Sequence, residues 1–358
     1  MKIVHVAESF SAGVLEFINH LTNSLEDFEH IIIYGEREIK ERNANIEEIK
    51  KRFARNVRFY KWAKAQKSIN LFKDSLAYYN LYRMLRKLDY DVIHLHSSKA
   101  GFLGRLTIPF LKNKNIIYTP HSVYFLRTDL SFFKKKFVIF LEKLASKMGG
   151  KIICCSHSEQ EAFLENNMAA CFINNGIPIM DLPMPSQYEK FTIVTSGRLS
   201  TQKNPKLFND IAKLLEYEKN IQFIWIGAGE LREQLNASNI EVTGWITKER
   251  VLLEVLKSDL FISTSLWEGL PYSGLEAMAL SKPLLVHSCV GNVDLVKNNY
   301  NGFIFNSAME AMGFIKELLA NKVLLTDMGN NSRKKCEEEF DIKVTSQQYR
   351  AKYISMVS

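Results

Sequence analysis

The chain has 358 residues, 46% of them hydrophobic and 24% charged, with a formal net charge of +8. Such a composition is that of an ordinary soluble globular protein, and the length suits two domains of about 100–200 residues each. No run reaches the roughly 18 apolar residues that a spanning helix needs, so contact with a membrane is limited to its surface.

The charge is unevenly placed. Residues 1–185 hold 27 Lys+Arg against 19 Asp+Glu, so the whole excess lies there, and residues 50–151 hold 23 against 5. A basic first half beside a neutral second half implies an acidic partner for the first half only. The five cysteines (Cys154, Cys155, Cys171, Cys289, Cys336) are odd in number and form no CxxC pair. They predict buried thiols in a reducing cytosol, not a disulfide framework. The opening MKIVHVAESF reads as a strand that runs into Glu8, too short in its apolar part for a signal peptide.

In chain order, Ile3–Ala7 is a predicted strand, followed by a helix over 14–26 with Leu15, Ile18, Leu21 and Leu25 on one face. Strands follow at His30–Tyr34 and Val57–Tyr60, with a charged, helix-compatible stretch through Arg55 between them. A helix over 69–88 leads to strands at Val92–His96, Asn115–Thr119 and Lys151–Ser156. This βαβ alternation implies a parallel, doubly wound sheet with ligands at the carboxyl ends of its strands. Residues 178–190, with three prolines in a polar stretch, read as a linker. Alternation then restarts with strands at Phe191–Ser196, Gln222–Ile226, Glu241–Thr243, Leu260–Ser263, Leu284–Val286 and Gly302–Phe305. The tail from Met309 onward reads as helices, the last from about Asp341 to Val357.

The densest constellation lies between Ser258 and Leu285. An apolar strand runs into Glu268-Gly269-Leu270-Pro271, then a helix through Ala279, then a second apolar strand. Such a turn aims the first free N–H groups of the helix at whatever lies above the sheet, making an anion site. Glu268 and Glu276 would repel a phosphate, so they suit sugar hydroxyls. Phosphate on backbone and hydroxyls on carboxylates together describe a nucleotide-sugar. A second loop, Gly197-Arg198-Leu199-Ser200-Thr201-Gln202-Lys203, follows the first strand of the second half. Its Arg offers a planar fork of donors and its Lys a mobile charge, both suited to a diphosphate.

Glu268-x7-Glu276 within EGLPYSGLEAMALSKPLL resembles the signature of the retaining glycosyltransferases of family 4. The resemblance covers most of the chain, most densely residues 191–305. It implies an α/β GT-B fold: two Rossmann-like, doubly wound parallel-sheet domains facing a central cleft. The domains would be 1–182 for the acceptor, 183–340 for the nucleotide-sugar, and 341–358 as a helix crossing back to the first. It implies that Arg198 and Lys203 bind the diphosphate and stabilise its charge as it leaves, that Glu268 contacts the donor sugar, and that Glu276 contacts the ribose. Gly269, Leu270 and Pro271 line the same turn. Gly227 and Gly229 resemble the family's glycine turn, read either as close approach to the nucleotide or as a structural turn. Ile246 resembles the nucleobase-lining position, and its neighbour Trp245 is expected to pack. Gly13 matches one of two adjacent family glycines near the donor phosphates; the other is Ala12 here, a departure that reshapes acceptor entry.

His121, ending a strand in Tyr118-Thr119-Pro120-His121, resembles the histidine that contacts the donor sugar. Of His94 and His96, one is expected buried and one nearer the cleft. No metal or other cofactor is expected, since no Asp-x-Asp or zinc-ligand spacing is present. The aromatic and lysine-rich stretch from Leu126 to Phe140, together with Trp62–Lys67, admits two readings: an apolar face with a cationic rim lying on anionic lipid, or a core-facing helix with a solvated lysine edge. Nucleic acid is disfavoured, because no recognition motif accompanies the charge.

These features describe a cytoplasmic or peripheral enzyme moving a sugar from a nucleotide-diphosphate donor to a glycan or lipid-linked acceptor. UDP is the preferred carrier, being the commonest in such enzymes, and bacterial surface-polysaccharide assembly is the implied setting. Two rivals are a GT-B nucleotide-sugar 2-epimerase and a non-catalytic basic surface-binding protein.

Overall fold

The computed structural model describes residues 1–35, 45–65, 70–181, 186 and 188–358. The chain divides into two compact units, one of residues 1–126, 130–176 and 342–358, the other of 127–129 and 177–341. The change of unit falls at Gly176–Ile177, earlier than the expected 182–183. Residues 182–185 and 187 of the predicted linker, and Gln66 and Lys67 of the basic stretch, lie outside the described residues.

The first unit opens with β1 (Lys2–Ala7), α1 (Ala12–Ser24), β2 (Glu29–Tyr34), α2 (Ile46–Lys51), β3 (Val57–Lys61), α3 (Leu71–Lys87) and β4 (Val92–His96). It continues through α4 (Ser98–Thr107), β5 (Ile116–Thr119), α5 (Phe132–Lys147), β6 (Lys151–Cys154), α6 (His157–Glu165) and β7 (Cys171–Phe172). The sheet order is β3-β2-β1-β4-β5-β6-β7, with every pair parallel. The two-residue β7 was not foreseen, because so short an edge strand carries no periodicity. Strands such as HIIIY are apolar on both faces, as interior strands of a two-sided sheet must be. One face packs Val4, Val6, Ile31, Ile33, Ile93 and Leu95 against Ala77, Leu81 and Leu85 of α3. The opposite face carries histidines beneath Phe17 of α1.

The second unit holds β8 (Phe191–Ser196), α7 (Pro205–Leu214), β9 (Ile221–Ile226), β10 (Ile240–Val242), α8 (Lys248–Lys257), β11 (Leu260–Ser263) and α9 (Tyr272–Ala279). It ends with β12 (Leu284–His287), α10 (Asn292–Leu295), β13 (Gly302–Phe305), α11 (Ala308–Ala320) and α12 (Lys322–Glu339). Its parallel sheet runs β10-β9-β8-β11-β12-β13. The order reverses direction between β8 and β11, and loops at the carboxyl ends of strands flanking such a point form the ligand crevice of open α/β sheets.

The last helix, α13 (Ile342–Val357), belongs to the first unit. Arg350 grips Asp27 through two bonds of 2.7 and 2.5 Å. Its buried face seats the Tyr353 hydroxyl 2.7 Å from His94 Nδ1 and the Tyr349 hydroxyl 3.3 Å from Thr119 Oγ1. Each is a hydrogen bond in a dry interior, contributing about 1 kcal/mol and costing more if one partner is removed.

One side of α5 packs Val138 and Ile139 against the core of the sheet. Its buried positions are Glu142 and Ala145, and Glu142 accepts from Arg105 Nη2 at 2.5 Å. Phe132, Phe133, Phe137 and Phe140 are 68, 83, 55 and 60% exposed instead. Val138 and Ile139 face the core while the phenylalanines on the other side point away from it, so the core-facing reading accounts for one side of the helix only.

Candidate functional site

In the second unit the loops after β8 and β11 are stitched together. Lys203 Nζ lies 2.7 Å from Glu268 Oε1, and Gln202 Nε2 donates to Glu268 Oε2 at 3.2 Å and to the Trp267 carbonyl at 3.0 Å. Backbone bonds complete the seam: Leu266 N donates to the Gln202 carbonyl, and Thr264 Oγ1 to that of Lys203, both at 2.8 Å. Glu268 is buried, so its bond to Lys203 is made in a drier medium than water. Arg198, half-buried in the same loop, makes no hydrogen bond or ion pair among the described residues. The sequence placed Lys203 on a diphosphate and Glu268 on a sugar. The fold makes those two assignments neighbours.

The turn Gly269-Leu270-Pro271 is buried and opens α9, with Pro271 as its N-cap. Gly291 closes against it at φ 83°, where a side chain would run into the Gly269 carbonyl. Glu276 is buried within α9 and pairs with Lys248, the first residue of α8. Lys248 was missed, because a lysine that opens a helix after a threonine N-cap looks like any solvated charge. Its sequence signal is its place two residues after Ile246, which is half-buried.

Gly227, at φ 139°, is needed by the protein itself: a Cβ there would overlap the carbonyl oxygen of Gly197. A Cβ on Gly229 would likewise meet that of Leu199. The glycines thus let the loops after β8 and β9 touch backbone to backbone. Trp245, expected to pack, is 60% exposed. It follows Gly244 at φ 72°, in a loop beyond a three-residue strand. Lys282 of the lysine-proline pair is buried at the amino end of β12, away from the strand carboxyl ends. It donates to the carbonyls of Leu256 and Ser258 at 2.8 and 2.6 Å, and burial lowers its pKa to about 8. Its role is structural.

In the first unit Gly13 lies in the first turn of α1, and Ala12 beside it takes φ 47°. That backbone suits the glycine the family places there and costs an L-residue about 1 kcal/mol. The helix also starts two residues earlier than the periodicity predicted. His121 follows β5 at φ 52°, with Phe17 edge-on to its ring at 4.7 Å. Both His94 and His96 are fully buried, correcting the expectation that only one would be. Residues two apart on a strand share a face, so they lie together, ring centroids 4.1 Å apart. Cys154, Cys155 and Cys336 are buried as expected, whereas Cys171 and Cys289 are half-exposed.

His5, His94 and His96 bring ring nitrogens within 4.8 Å of one another, a spacing open to a metal. Yet all six of these nitrogens already have protein partners: His30, Tyr353, Thr119, His121 and each other. Burial pushes all three pKa values well down, and those of His30 and His121 to about 4 and about 3. Burial thus favours the neutral rings; His5 and His96 bond to each other and to further histidines, and His94 bonds to Tyr353 and Thr119.

The first half of the chain, residues 12–180, matches the family profile described as Glycosyltransferase Family 4. Residues 184–335 match that of Glycosyl transferases group 1. The chain is 31% identical over 322 residues to an Escherichia coli UDP-Gal:alpha-D-GlcNAc-diphosphoundecaprenol alpha-1,3-galactosyltransferase, covering 81% of this chain and 82% of that one. Among solved structures it resembles sucrose-phosphate synthase from Thermosynechococcus elongatus (TM-score 0.80, 15% identity, 99% of each chain). It also resembles Anabaena HepE in complex with UDP-glucose (TM-score 0.78, 17% identity, 99% of this chain and 100% of that one). At these identities the structural likeness establishes the GT-B fold.

Proposed function

This chain belongs to glycosyltransferase family 4, and on that premise we propose that it transfers a sugar from a UDP-sugar, with retention, to a hydroxyl of a lipid-linked or glycan acceptor in bacterial surface-polysaccharide assembly. The observation that carries the reading is the Lys203–Glu268 pair at the carboxyl ends of β8 and β11. It sets a cation for a diphosphate against a buried acceptor of sugar hydroxyl bonds. The E. coli relative's own name supplies the UDP-sugar and the diphosphate-linked lipid acceptor.

On this reading Arg198 and Lys203 hold the diphosphate. Glu268 accepts from sugar hydroxyls above the Gly269-Leu270-Pro271 turn, and Glu276 with Lys248 takes the ribose. Ile246 borders the base, Gly13 lies by the phosphates, and His121 contacts the sugar. The acceptor hydroxyl attacks the anomeric carbon from the face the diphosphate leaves. The carbon–oxygen bond to the diphosphate breaks as the new glycosidic bond forms, and the hydroxyl proton passes to a diphosphate oxygen. Cationic donors stabilise the charge that builds on the leaving group. No divalent metal is required, so turnover persists in chelator.

Calorimetric titration with UDP, GDP and ADP tests the site. We expect UDP alone to bind, and Arg198→Ala with Lys203→Ala to abolish binding. No binding to the wild type by any of the three sinks the assignment. Nucleotide release only with added acceptor would reject the epimerase.

The partner on the first unit is the anionic face of a cytoplasmic membrane, which brings a lipid-linked acceptor to the enzyme. The four exposed phenylalanines of α5 are collared by Lys134, Lys135, Lys136, Lys143 and Lys147, matching an apolar layer under anionic headgroups. Co-sedimentation with phosphatidylglycerol vesicles should fall at least tenfold in Phe133→Ser with Phe137→Ser, since each ring buried contributes about 2 kcal/mol. Equal binding by wild type and variant removes this surface from the proposal.

A further inference from the structure

Four imidazoles form one unbroken chain across the sheet of the first unit. His30 Nε2 lies 3.0 Å from the Leu25 carbonyl, and His30 Nδ1 lies 3.2 Å from His5 Nε2. His5 Nδ1 is 3.1 Å from His96 Nε2, and His96 Nδ1 is 3.1 Å from His121 Nε2. The rings come from β2, β1 and β4, and from His121 two residues beyond the end of β5, four neighbouring strands of the sheet.

The polarity of this chain follows from its anchor. A carbonyl only accepts, so His30 carries its proton on Nε2 and leaves Nδ1 bare. His5 must then donate from Nε2, His96 from Nε2, and His121 from Nε2. Four contacts take four protons, one per neutral ring, and every contact is satisfied. A reversed chain would need a hydrogen on the Leu25 carbonyl, and a second proton on any of the first three rings would set two N–H groups against each other. The last nitrogen, His121 Nδ1, remains bare and has no hydrogen-bond partner among the described residues.

We propose that the chain Leu25–His30–His5–His96 is a tautomer relay that holds His121 in its Nε2–H form, so that His121 Nδ1 acts only as an acceptor for a sugar hydroxyl. Phe17 covers the relay, lying 5.5 Å from His96 and 4.7 Å from His121 between ring centroids. Tyr349 lies beyond it, 5.4 Å from both Phe17 and His94. This dry cover keeps the rings neutral, in line with their lowered pKa values. A bare, weakly basic nitrogen selects a hydroxyl donor over a phosphate or carboxylate and does not take the proton for itself. The relay ends on a carbonyl and so conducts no proton; it orients. His5, His30 and His96 are positioning residues. That the hydroxyl belongs to a sugar rests on the glycosyltransferase reading above, whereas the tautomer does not.

The test is a long-range proton–nitrogen correlation spectrum of full-length protein labelled with 15N-histidine, without substrate, at pH 7.5. His121→Gln identifies the His121 signals by their loss. The expected pattern is an Nε2–H tautomer at His5, His30, His96 and His121. An Nδ1–H tautomer or an imidazolium at His121 overturns the relay. His30→Phe removes the anchor, and the His121 signals should then split between two tautomers although three rings intervene. A His121 pattern unchanged in folded His30→Phe also overturns it. If that variant does not fold, the wild-type spectrum still decides. UDP titration of the same sample is independent: lost UDP binding with the expected tautomers would sink the donor assignment and leave the relay standing.

Discussion

Acidification should unfold the first unit selectively. Of the eight histidines, seven lie in the first unit and only His287 in the second. Burial lowers the pKa of His30 to about 4 and of His121 to about 3, from an ordinary 6.5. A group depressed in the folded state contributes stability above its unfolded pKa and loses it as pH falls, because the unfolded chain takes up the proton first. Between pH 7.5 and 5.5 each of these two rings therefore costs about 1.3 kcal/mol, or about 2.6 kcal/mol together. His5, His94 and His96 are lowered further and act in the same direction. Glu142 and Glu159 oppose them, being raised by burial, but Arg105 holds down the first and the Cys155, Val123 and Ser122 amides the second. Against a domain stability of about 5–15 kcal/mol the loss is large. Pulse proteolysis in urea, with fragments assigned to each unit, should show the first unit's midpoint falling by roughly 1 M. An unchanged first-unit midpoint, or an equal fall in the second unit, would refute the reasoning.

Ala12→Gly should stabilise the first unit by about 1 kcal/mol, because it relieves an L-residue at φ 47°; a loss of stability in urea would show that the alanine methyl contributes more than the backbone strain costs. Lys203→Met should cost the second unit about 2 kcal/mol by leaving the Glu268 carboxylate with Gln202 alone, and adding Glu268→Gln should recover part of it. Equal stabilities for the single and double variants would mean the pair is not coupled. Glu142→Ala should cost the first unit about 3–5 kcal/mol, since it strands the buried Arg105 charge; thermal melting that shifts by less than a degree would contradict that.

Family, fold class and the positions of the strands were legible in the chain itself, for a physical reason. A parallel strand buried on both faces must be apolar at every position, and the stretches around Ile31–Ile33 and Leu260–Ile262 advertise that locally. A loop at a strand's carboxyl end is likewise written in contiguous residues, so Gly197–Lys203 and Glu268–Pro271 were found as motifs. What the tertiary structure alone decided are relations between residues far apart in sequence. Lys203 meets Glu268 and Gly227 closes on Gly197 because parallel strands bring their loops side by side, and Lys248 meets Glu276 where two helices approach. The direction in which α5 turns its phenylalanines is set with Glu142 meeting Arg105 of α4 inside, beside Val138 and Ile139 on the core. The histidines are the clearest case. Scattered from His5 to His121, they look like isolated residues until four neighbouring strands align them. Then a single carbonyl at Leu25 dictates where each proton sits, because a carbonyl can accept a hydrogen bond and cannot give one.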